Sequence, residues 1–380
     1  MGLKSLFNAA RRAARSPIGI DIGRRAIKAV QLERTKGPTT SSPENPLLGW
    51  RVAGATLLPR PENSTGAPSA AEIRQLADAL ERKSFQGSDV VLAAPEGLLC
   101  SVLELPPLSA SAPVGQITRI ELSRTHKFAP DSFEMGYWEL PTLARAQKAT
   151  TVMAVALPHA VCDPLLEHFD NERLNVCAVD VRSCAIARAC AGLAGDAGFH
   201  ALVDLGARSA ELVLLFKGAV IYTRSLPDAG MDALRDAVAA RLKVDRDVAS
   251  FLLNRVGLTQ APNASSEDPV PAETEAHAEA DVPPEARAMI AGHFDSLAEE
   301  LAASFAYAVH QYRDAAVARL LMVGGGAAVP GAAAHLTRAT GIETLVASPA
   351  ALCELDPALA ELGASPALTA ALGLALYPPL

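Results

Sequence analysis

Two aspartates of this 380-residue chain stand in nearly the same local sequence at two distant places. Asp21 lies in the segment Ile18–Gly23, which is followed by Lys28, and Asp204 lies in the segment Ala201–Gly206. Each segment predicts an apolar strand that ends at a carboxylate and turns at a glycine with positive φ. Such a glycine lets backbone N–H groups approach a phosphate, and a pair of carboxylates can hold Mg²⁺. The repeat therefore predicts two turns that face each other across one phosphate and metal site.

A third segment, Leu320–Gly331, reads as a buried strand that runs into consecutive glycines and then into a helix. This pattern brings backbone amides close to a ligand. It is not a Walker loop, because no Gly-Lys-Ser/Thr follows, and it is not a Gly-x-Gly-x-x-Gly fingerprint. A single Asp-x-Gly is common in ordinary turns, so the argument for a site depends on all three segments and their order.

In this order the segments resemble the motifs of the actin-like ATPase superfamily. Within it they resemble the PilM family of type IV pilus assembly, which is related to the division protein FtsA. Ile18–Leu32 resembles the first phosphate hairpin, Val203–Gly230 the second phosphate motif, Leu320–Gly331 the adenosine motif and Ser365–Leu376 the closing helix. The resemblance implies an α/β fold of two duplicated, RNase H-like lobes. It also implies an FtsA-type subdomain inserted in lobe one.

The resemblance further implies ATP or ADP with Mg²⁺ in the cleft between the lobes. The implied metal ligands are Asp21 and Asp204. The implied nucleotide contacts are Gly23, Arg24, Lys28, Gly206, Gly324, Gly325 and Gly326. No motif nominates a catalytic acid or base.

The chain departs from the family pattern at positions where the family has residues that donate hydrogen bonds to phosphate or position water. The departures are Arg24, Arg25 and Ala26 in place of small hydroxyl residues, Ala210 in place of Thr, Arg182 in place of an acid or amide near the attacking water, and Ala249–Leu253 in place of an Ala-Glu-x-x-Lys pattern. Arginine grips phosphate well, so Arg24 or Arg25 could replace the lost donors. Losing a group that orients the nucleophile typically costs orders of magnitude in rate. We therefore predict a binding protein or scaffold with optional nucleotide and, at most, very weak ATP hydrolysis.

Composition and charge favour a cytoplasmic globular protein. Half of the residues are hydrophobic, which is enough for two cores, and the six cysteines form no Cys-x-x-Cys pair. The net charge of −8 argues against a nucleic-acid binder. No apolar run approaches the roughly 20 residues of a spanning helix, and no signal peptide is visible.

The N-terminal segment Met1–Ser16 contains Lys4, Arg11, Arg12 and Arg15 and no acidic residue. Its apolar residues fall at helical spacing, which is compatible with a short helix on an anionic membrane face. A disordered basic leader explains the same residues. Sequence leaves both interpretations open.

The predicted organisation follows the family order. It comprises a basic leader (1–16), the lobe-one core (17–105), the inserted subdomain (106–175), a return to lobe one (176–198), the lobe-two core (199–230), an outer subdomain of lobe two (231–315) with a disordered acidic loop (260–287), a return to lobe two (316–355) and a closing segment on lobe one (356–380). The loop is predicted from its Pro-, Ala- and Glu-rich composition, which cannot bury enough surface to offset ordering entropy.

The leading functional hypothesis is an adaptor of type IV pilus biogenesis at the cytoplasmic face of the inner membrane. The resemblance implies that it binds the cytoplasmic N-terminal peptide of PilN, a single-span membrane protein, within the inner-membrane assembly complex. The candidate groove elements are Leu98–Leu105 and Gln116–Phe128. The alternatives are an active ATPase or kinase of the superfamily, an FtsA-like division protein, and the cytoplasmic domain of the type II secretion protein GspL.

Overall fold

The structure is a computed structural model that describes residues 15–35, 45–62, 64, 66–105, 112–141, 150–195, 198–258, 283–311 and 316–377. The predicted leader (1–16) lies outside the described residues except for Arg15 and Ser16. Arg15 contacts the Ser84 carbonyl at 2.7 Å and the Glu33 carboxylate at 3.8 Å. Most of the predicted acidic loop also lies outside the described residues.

Strands and helices alternate along the chain. The strands are β1 (Ile18–Ile22), β2 (Ala26–Arg34), β3 (Trp50–Pro59), β4 (Asp89–Ala93), β5 (Leu99–Leu105), β6 (Phe133–Glu139), β7 (Thr150–Pro158), β8 (Asn175–Asp180), β9 (Phe199–Leu205), β10 (Ala210–Phe216), β11 (Ala219–Leu226), β12 (Val317–Val323), β13 (Thr344–Val346) and β14 (Glu354–Leu355). The helices are α1 (Ala70–Arg82), α2 (Val114–His126), α3 (His159–Asn171), α4 (Arg182–Ala194), α5 (Met231–Leu242), α6 (Arg246–Phe251), α7 (Pro284–Gln311), α8 (Ala332–Thr340), α9 (Pro349–Leu352), α10 (Ala360–Gly363) and α11 (Thr369–Ala375).

Two sheets repeat the same strand order. One is β14-β3-β2-β1-β4-β8 and the other is β11-β10-β9-β12-β13. In both, three antiparallel strands meander and two further strands add in parallel beside the first. The duplication predicted from the two Asp-x-Gly segments is therefore present in the topology, with β1 and β9 as equivalent strands.

The pairing register decides which side chains join each aspartate. Asp21 of β1 lies opposite Lys28 of β2, and Asp204 of β9 lies opposite Glu211 of β10. Residues directly opposite in an antiparallel pair project from the same face of the sheet. Each hairpin therefore presents a second charged group beside its aspartate.

Small residues allow the closing helix α11 to pack between β1 and α4. A Cβ added at Gly19 of β1 would overlap the Ala371 carbonyl, and one added at Gly373 would overlap the Ala185 carbonyl. Among the described residues no single helix is long and apolar enough to cross a membrane. Two helical stretches, Pro357–Gly363 and Pro366–Ala375, meet that criterion only as a pair bent by 91°.

A separate three-stranded sheet, β5-β7-β6, forms the core of the inserted subdomain together with α2. The predicted boundary at 106 is wrong, because β5 begins at Leu99 and pairs with β7 of this sheet. The predicted boundary at 175 is also wrong, because α3 buries Leu165 and Phe169 in the lobe-one core. The described strands and helix of this sheet and its core lie between Leu99 and Pro158.

Two further boundaries differ from prediction. The acidic loop was predicted to reach 287, but α7 begins at Pro284 and buries Ala286 completely in the lobe-two core. The lobe-two return was predicted to reach 355, but β14 pairs with β3 of the lobe-one sheet. In both places the short segment is fixed by packing against distant residues, which its own composition does not reveal.

Candidate functional site

The two repeated aspartates lie on either side of one cleft, and a single arginine connects them. Arg182 is the first residue of α4, directly after β8 of lobe one. One nitrogen of its guanidinium (Nη2) lies 2.9 Å from Asp204 Oδ2 of lobe two and 3.4 Å from Asp21 Oδ2 of lobe one. The site predicted to hold a metal therefore contains an arginine between the two carboxylates.

Lys28 supplies a second positive charge at the same place. Its Nζ donates to Asp21 Oδ2 at 2.7 Å, and both side chains are buried. Burial by itself raises the pKa of the Asp21 carboxyl, but Arg182 and Lys28 outweigh it, so the pKa lies below its usual value. Burial likewise lowers the pKa of Arg182, and Asp204 and Asp21 reverse that effect, so its pKa lies above its usual value. Asp21 and Arg182 therefore both favour their charged forms.

Glu211 is a third carboxylate at this site, and the sequence analysis did not nominate it. It lies opposite Asp204 on β10. Burial is the main cause that raises its pKa, the nearby Asp204 raises it further, and Arg182 opposes the shift. The sequence does carry a signal that could have identified Glu211, because it is the one charged residue in the apolar run Ala210–Phe216.

The raised pKa of Glu211 predicts a specific pH dependence of stability. The folded chain holds this proton more tightly than the unfolded chain, so stability falls as pH rises from about 4.5 towards the folded-state pKa. Glu211→Gln cannot ionise and should lack this decline. Urea unfolding from pH 4.5 to 8 measures it, with the exposed Glu81→Gln on α1 as the control. Parallel pH profiles for wild type and Glu211→Gln would contradict the prediction.

Gly23 and Gly206 are explained by the lack of room for a side chain and not by a left-handed backbone. Neither Gly23 nor Gly206 has a positive φ, contrary to prediction, whereas Gly324 has a φ of 82°. A Cβ at Gly23 would lie 2.6 Å from Lys28 Nζ, and one at Gly206 would lie 2.8 Å from the Ser209 carbonyl. Close approach of the charged side chain and of the neighbouring strand therefore explains both glycines.

The N–H groups of these glycines already donate within the protein. Gly23 donates to the Ala26 carbonyl, Gly206 to the Asp204 and Ser209 carbonyls, and Gly324 to the Pro366 carbonyl. Among the predicted phosphate contacts, the N–H groups of Gly23 and Gly206 stabilise their own turns, and the N–H group of Gly324 donates to the distant Pro366 carbonyl. A phosphate would have to use other donors.

Arg24 and Arg25, predicted as phosphate donors, pair with a carboxylate of lobe two. Asp232 in the first turn of α5 lies 3.7 Å from Arg24 and 3.1 Å from Arg25. Asp232 also pairs with Arg235. Lobe one and lobe two are thus joined by ion pairs at the hairpin turn as well as at Arg182.

Two of the three adjacent glycines after β12, Gly324 and Gly326, lie close against the second hairpin. A Cβ at Gly324 would overlap Asp204 Oδ1, and one at Gly326 would press on Met231 and Leu205. Gly325 has open space around its Cβ position. The predicted adenosine motif therefore lies beside Asp204.

The residues present do not fit a divalent cation as they are arranged. Asp21 Oδ2 and Asp204 Oδ2 face Lys28 and Arg182, and an ion between the carboxylates would have to displace the guanidinium. Asp21 Oδ1 and Asp204 Oδ1 are buried and accept no hydrogen bond from the described residues. In the described part of the chain no group of three or more His, Cys, Asp or Glu side chains could hold a metal.

The chemistry of Arg182 also limits what the site can do. A guanidinium has five hydrogen-bond donors and no acceptor. It remains protonated at any physiological pH, so it cannot take a proton from water. The site is suited to hold charges together and is poorly suited to activate a nucleophile.

A second feature is an apolar cavity of about 510 Å³ between three parts of the fold. It is lined by Ala187 and Ala191 of α4, by Val220 of β11 and by Trp138 of the insert. The Trp138 indole N–H donates to the Val220 carbonyl at 2.7 Å, which fixes the insert against the edge strand β11. Neither predicted groove element, Leu98–Leu105 or Gln116–Phe128, is among the described residues that line it.

Comparison with known proteins connects this architecture to solved structures. No protein-family model and no curated protein matches the sequence. A chain from a structure described as the PilM–PilN type IV pilus biogenesis complex superimposes with a TM-score of 0.71 and 20% identity, covering 95% of this chain and 98% of that chain. The ethanolamine utilization protein EutJ from Carboxydothermus hydrogenoformans superimposes with a TM-score of 0.52 and 14% identity, covering 96% of this chain and 90% of that chain. The predicted two-lobed actin-like fold is confirmed.

Proposed function

We propose that this chain is an actin-like adaptor of type IV pilus biogenesis. It binds the cytoplasmic N-terminal peptide of a PilN-like single-span membrane protein and thereby joins the inner-membrane assembly complex at its cytoplasmic face. The observation that carries the proposal is the likeness, along nearly the whole of both chains, to a chain of the PilM–PilN complex. The chemistry of Arg182 supports it too, because the sequence resemblance puts this guanidinium where the superfamily has a water-positioning residue, and a guanidinium cannot accept a proton from water.

The cavity beside Trp138 is the proposed peptide site. Its volume of about 510 Å³ lies within the range of roughly 300–1,000 Å³ that is typical of ligand pockets. Its lining is mostly apolar, and the neighbouring β11 is an edge strand. An extended peptide can place apolar side chains in such a cavity while its backbone follows a strand edge. Three subdomains meet there, so an occupant would contact all of them.

Calorimetric titration of that peptide tests the proposal. The peptide is taken from the PilN-like protein encoded beside this chain, and it is titrated against the full chain and against a form lacking Met1–Ser16. We expect saturable one-to-one binding that is unchanged without the leader, because none of the described residues that line the cavity belongs to the leader. Absence of binding, together with liposome association that requires Arg11 and Arg12, would replace the adaptor with a directly membrane-attached protein.

We propose that nucleotide is optional for this role. ATP or ADP would contact Arg24, Lys28 and the turns at Gly23, Gly206 and Gly324–Gly326. Mg²⁺ would reach Asp21 and Asp204 only after Arg182 has moved away. Arg24 would also have to leave Asp232 to meet a phosphate.

Purified wild-type chain should therefore release phosphate from ATP at a rate close to the uncatalysed background. The physical reason is that Arg182, which stands where the superfamily pattern has a water-positioning residue, cannot act as a base. A phosphate-release assay with excess Mg²⁺ measures this, with Asp204→Asn as the matched control for contaminating ATPases. Steady turnover by wild type that Asp204→Asn abolishes would favour the active ATPase or kinase.

A further inference from the structure

The positive charges in the cleft match those of a divalent cation. Lys28 and Arg182 together carry two positive charges, and both lie against the carboxylates that flank the cleft. Mg²⁺ carries the same charge and prefers carboxylate oxygens. The side-chain cations therefore neutralise Asp21 and Asp204 as one ion would.

The position of Arg182 links the two lobes through one side chain. It arises from α4 of lobe one, yet its shorter ion pair is with Asp204 of lobe two. A guanidinium cannot dissociate from the chain and does not lose its proton in proteins. Its contribution is therefore independent of cation concentration.

We propose that Arg182 replaces the divalent cation of this cleft and holds the two lobes together without any metal. The unpaired atoms Asp21 Oδ1 and Asp204 Oδ1 support the proposal, because each carboxylate retains an oxygen that no described residue bonds. Removal of the guanidinium would free the Oδ2 atoms of Asp204 and, in part, of Asp21, and a cation could then bind them together with these Oδ1 atoms. The wild-type cleft is closed to metal, and the metal site is regained when Arg182 is lost.

Arg182→Ala tests the proposal through thermal unfolding with and without Mg²⁺. Wild type should show the same melting temperature in EDTA and in Mg²⁺. Arg182→Ala should melt about 5 °C lower in EDTA, because two carboxylates lose their shared partner. Mg²⁺ at about 100 times its dissociation constant should restore at least about half of that loss.

Three variants make the interpretation specific. Arg182→Lys keeps the charge and should remain insensitive to Mg²⁺. The double variant Arg182→Ala/Asp204→Asn should not be stabilised by Mg²⁺, because one of the two carboxylate ligands is gone. Arg188→Ala is the matched control, since Arg188 lies on the same helix and pairs with Asp180 at 2.9 Å, and its loss should not be rescued.

Two results would overturn the proposal. In the first, Mg²⁺ raises the melting temperature of wild type, or EDTA lowers it, by as much as it does for Arg182→Ala. In the second, Mg²⁺ does not raise the melting temperature of Arg182→Ala. If Arg182→Ala does not fold, titration of Mn²⁺ into wild type decides the question. Mn²⁺ binding by wild type that Asp204→Asn abolishes would contradict the proposal. No Mn²⁺ binding by wild type would support it.

Discussion

Replacing Asp21 by asparagine should lower the free energy of unfolding by about 3–5 kcal/mol, because it leaves the buried Lys28 ammonium without its carboxylate partner, while Arg182 keeps only Asp204. The Asp21 side chain is only 1% exposed, and water cannot compensate for the lost carboxylate. Urea denaturation at pH 7 measures the change by linear extrapolation. The matched control is Asp356→Asn, whose side chain is 40% exposed and lies 3.8 Å from Arg51. That exposed pair should contribute about 0–1 kcal/mol.

The pH dependence of the stability of wild type and Asp21→Asn gives a second readout. The pKa of Asp21 lies below its ordinary value near 3.8, so its stabilisation is complete above that pH. It is lost as pH falls through the lower folded-state pKa. The difference in stability between wild type and Asp21→Asn should therefore be constant near neutral pH and narrow below about pH 4. Equal losses for Asp21→Asn and Asp356→Asn at pH 7 would show that the buried charges are not coupled.

Gly373→Ala should destabilise the fold by about 3 kcal/mol or more, at the upper end of typical overpacking costs. The added methyl group would overlap the Ala185 carbonyl, which is backbone of α4 and cannot rotate away. α11 is also held on its other side, where Gly19 of β1 faces the Ala371 carbonyl. Relief would require α11 or α4 to move, and α4 carries Arg182.

Gly292→Ala is the control for Gly373→Ala. Gly292 lies at an exposed position inside α7, where a Cβ would meet no atom within 4 Å. Alanine should stabilise this helix by about 0.5–1 kcal/mol. Thermal and urea unfolding of both variants measure the two effects. Similar stabilities for the two variants would mean that α11 is not packed as closely as described.

The duplicated hairpins could be predicted from sequence because their signals are local. Apolar runs that end in Asp-x-Gly specify strand and turn within a few residues, and the order of the three motifs indicated the superfamily. The boundary at Leu99 could not be predicted in this way. A β-strand such as Leu99–Leu105 has the same local pattern in either sheet, and only its long-range pairing with β7 assigns it to the insert.

The composition of the site was predicted only in part for a similar reason. Asp21, Asp204 and Lys28 were nominated from motifs, and Arg182 was identified only as a departure from the family. Its contact with both aspartates depends on where the N-terminus of α4 meets lobe two, which is a tertiary property. Glu211 enters the site through its register opposite Asp204, and that register also requires the folded sheet.

The most direct measurement of the central claim is the affinity of the PilN-like peptide for a chain whose cavity has been filled. Ala191→Phe places an aromatic ring in the cavity from α4, and Ala302→Phe places the same ring on the exposed face of α7 as the matched control. Calorimetry should show at least about a tenfold weaker affinity for Ala191→Phe, equivalent to about 1.4 kcal/mol. Ala302→Phe should bind like wild type, with the melting temperature of both variants confirming that they fold. Unchanged affinity of folded Ala191→Phe would contradict the proposed peptide site, and no binding by any of the three proteins would contradict the adaptor function.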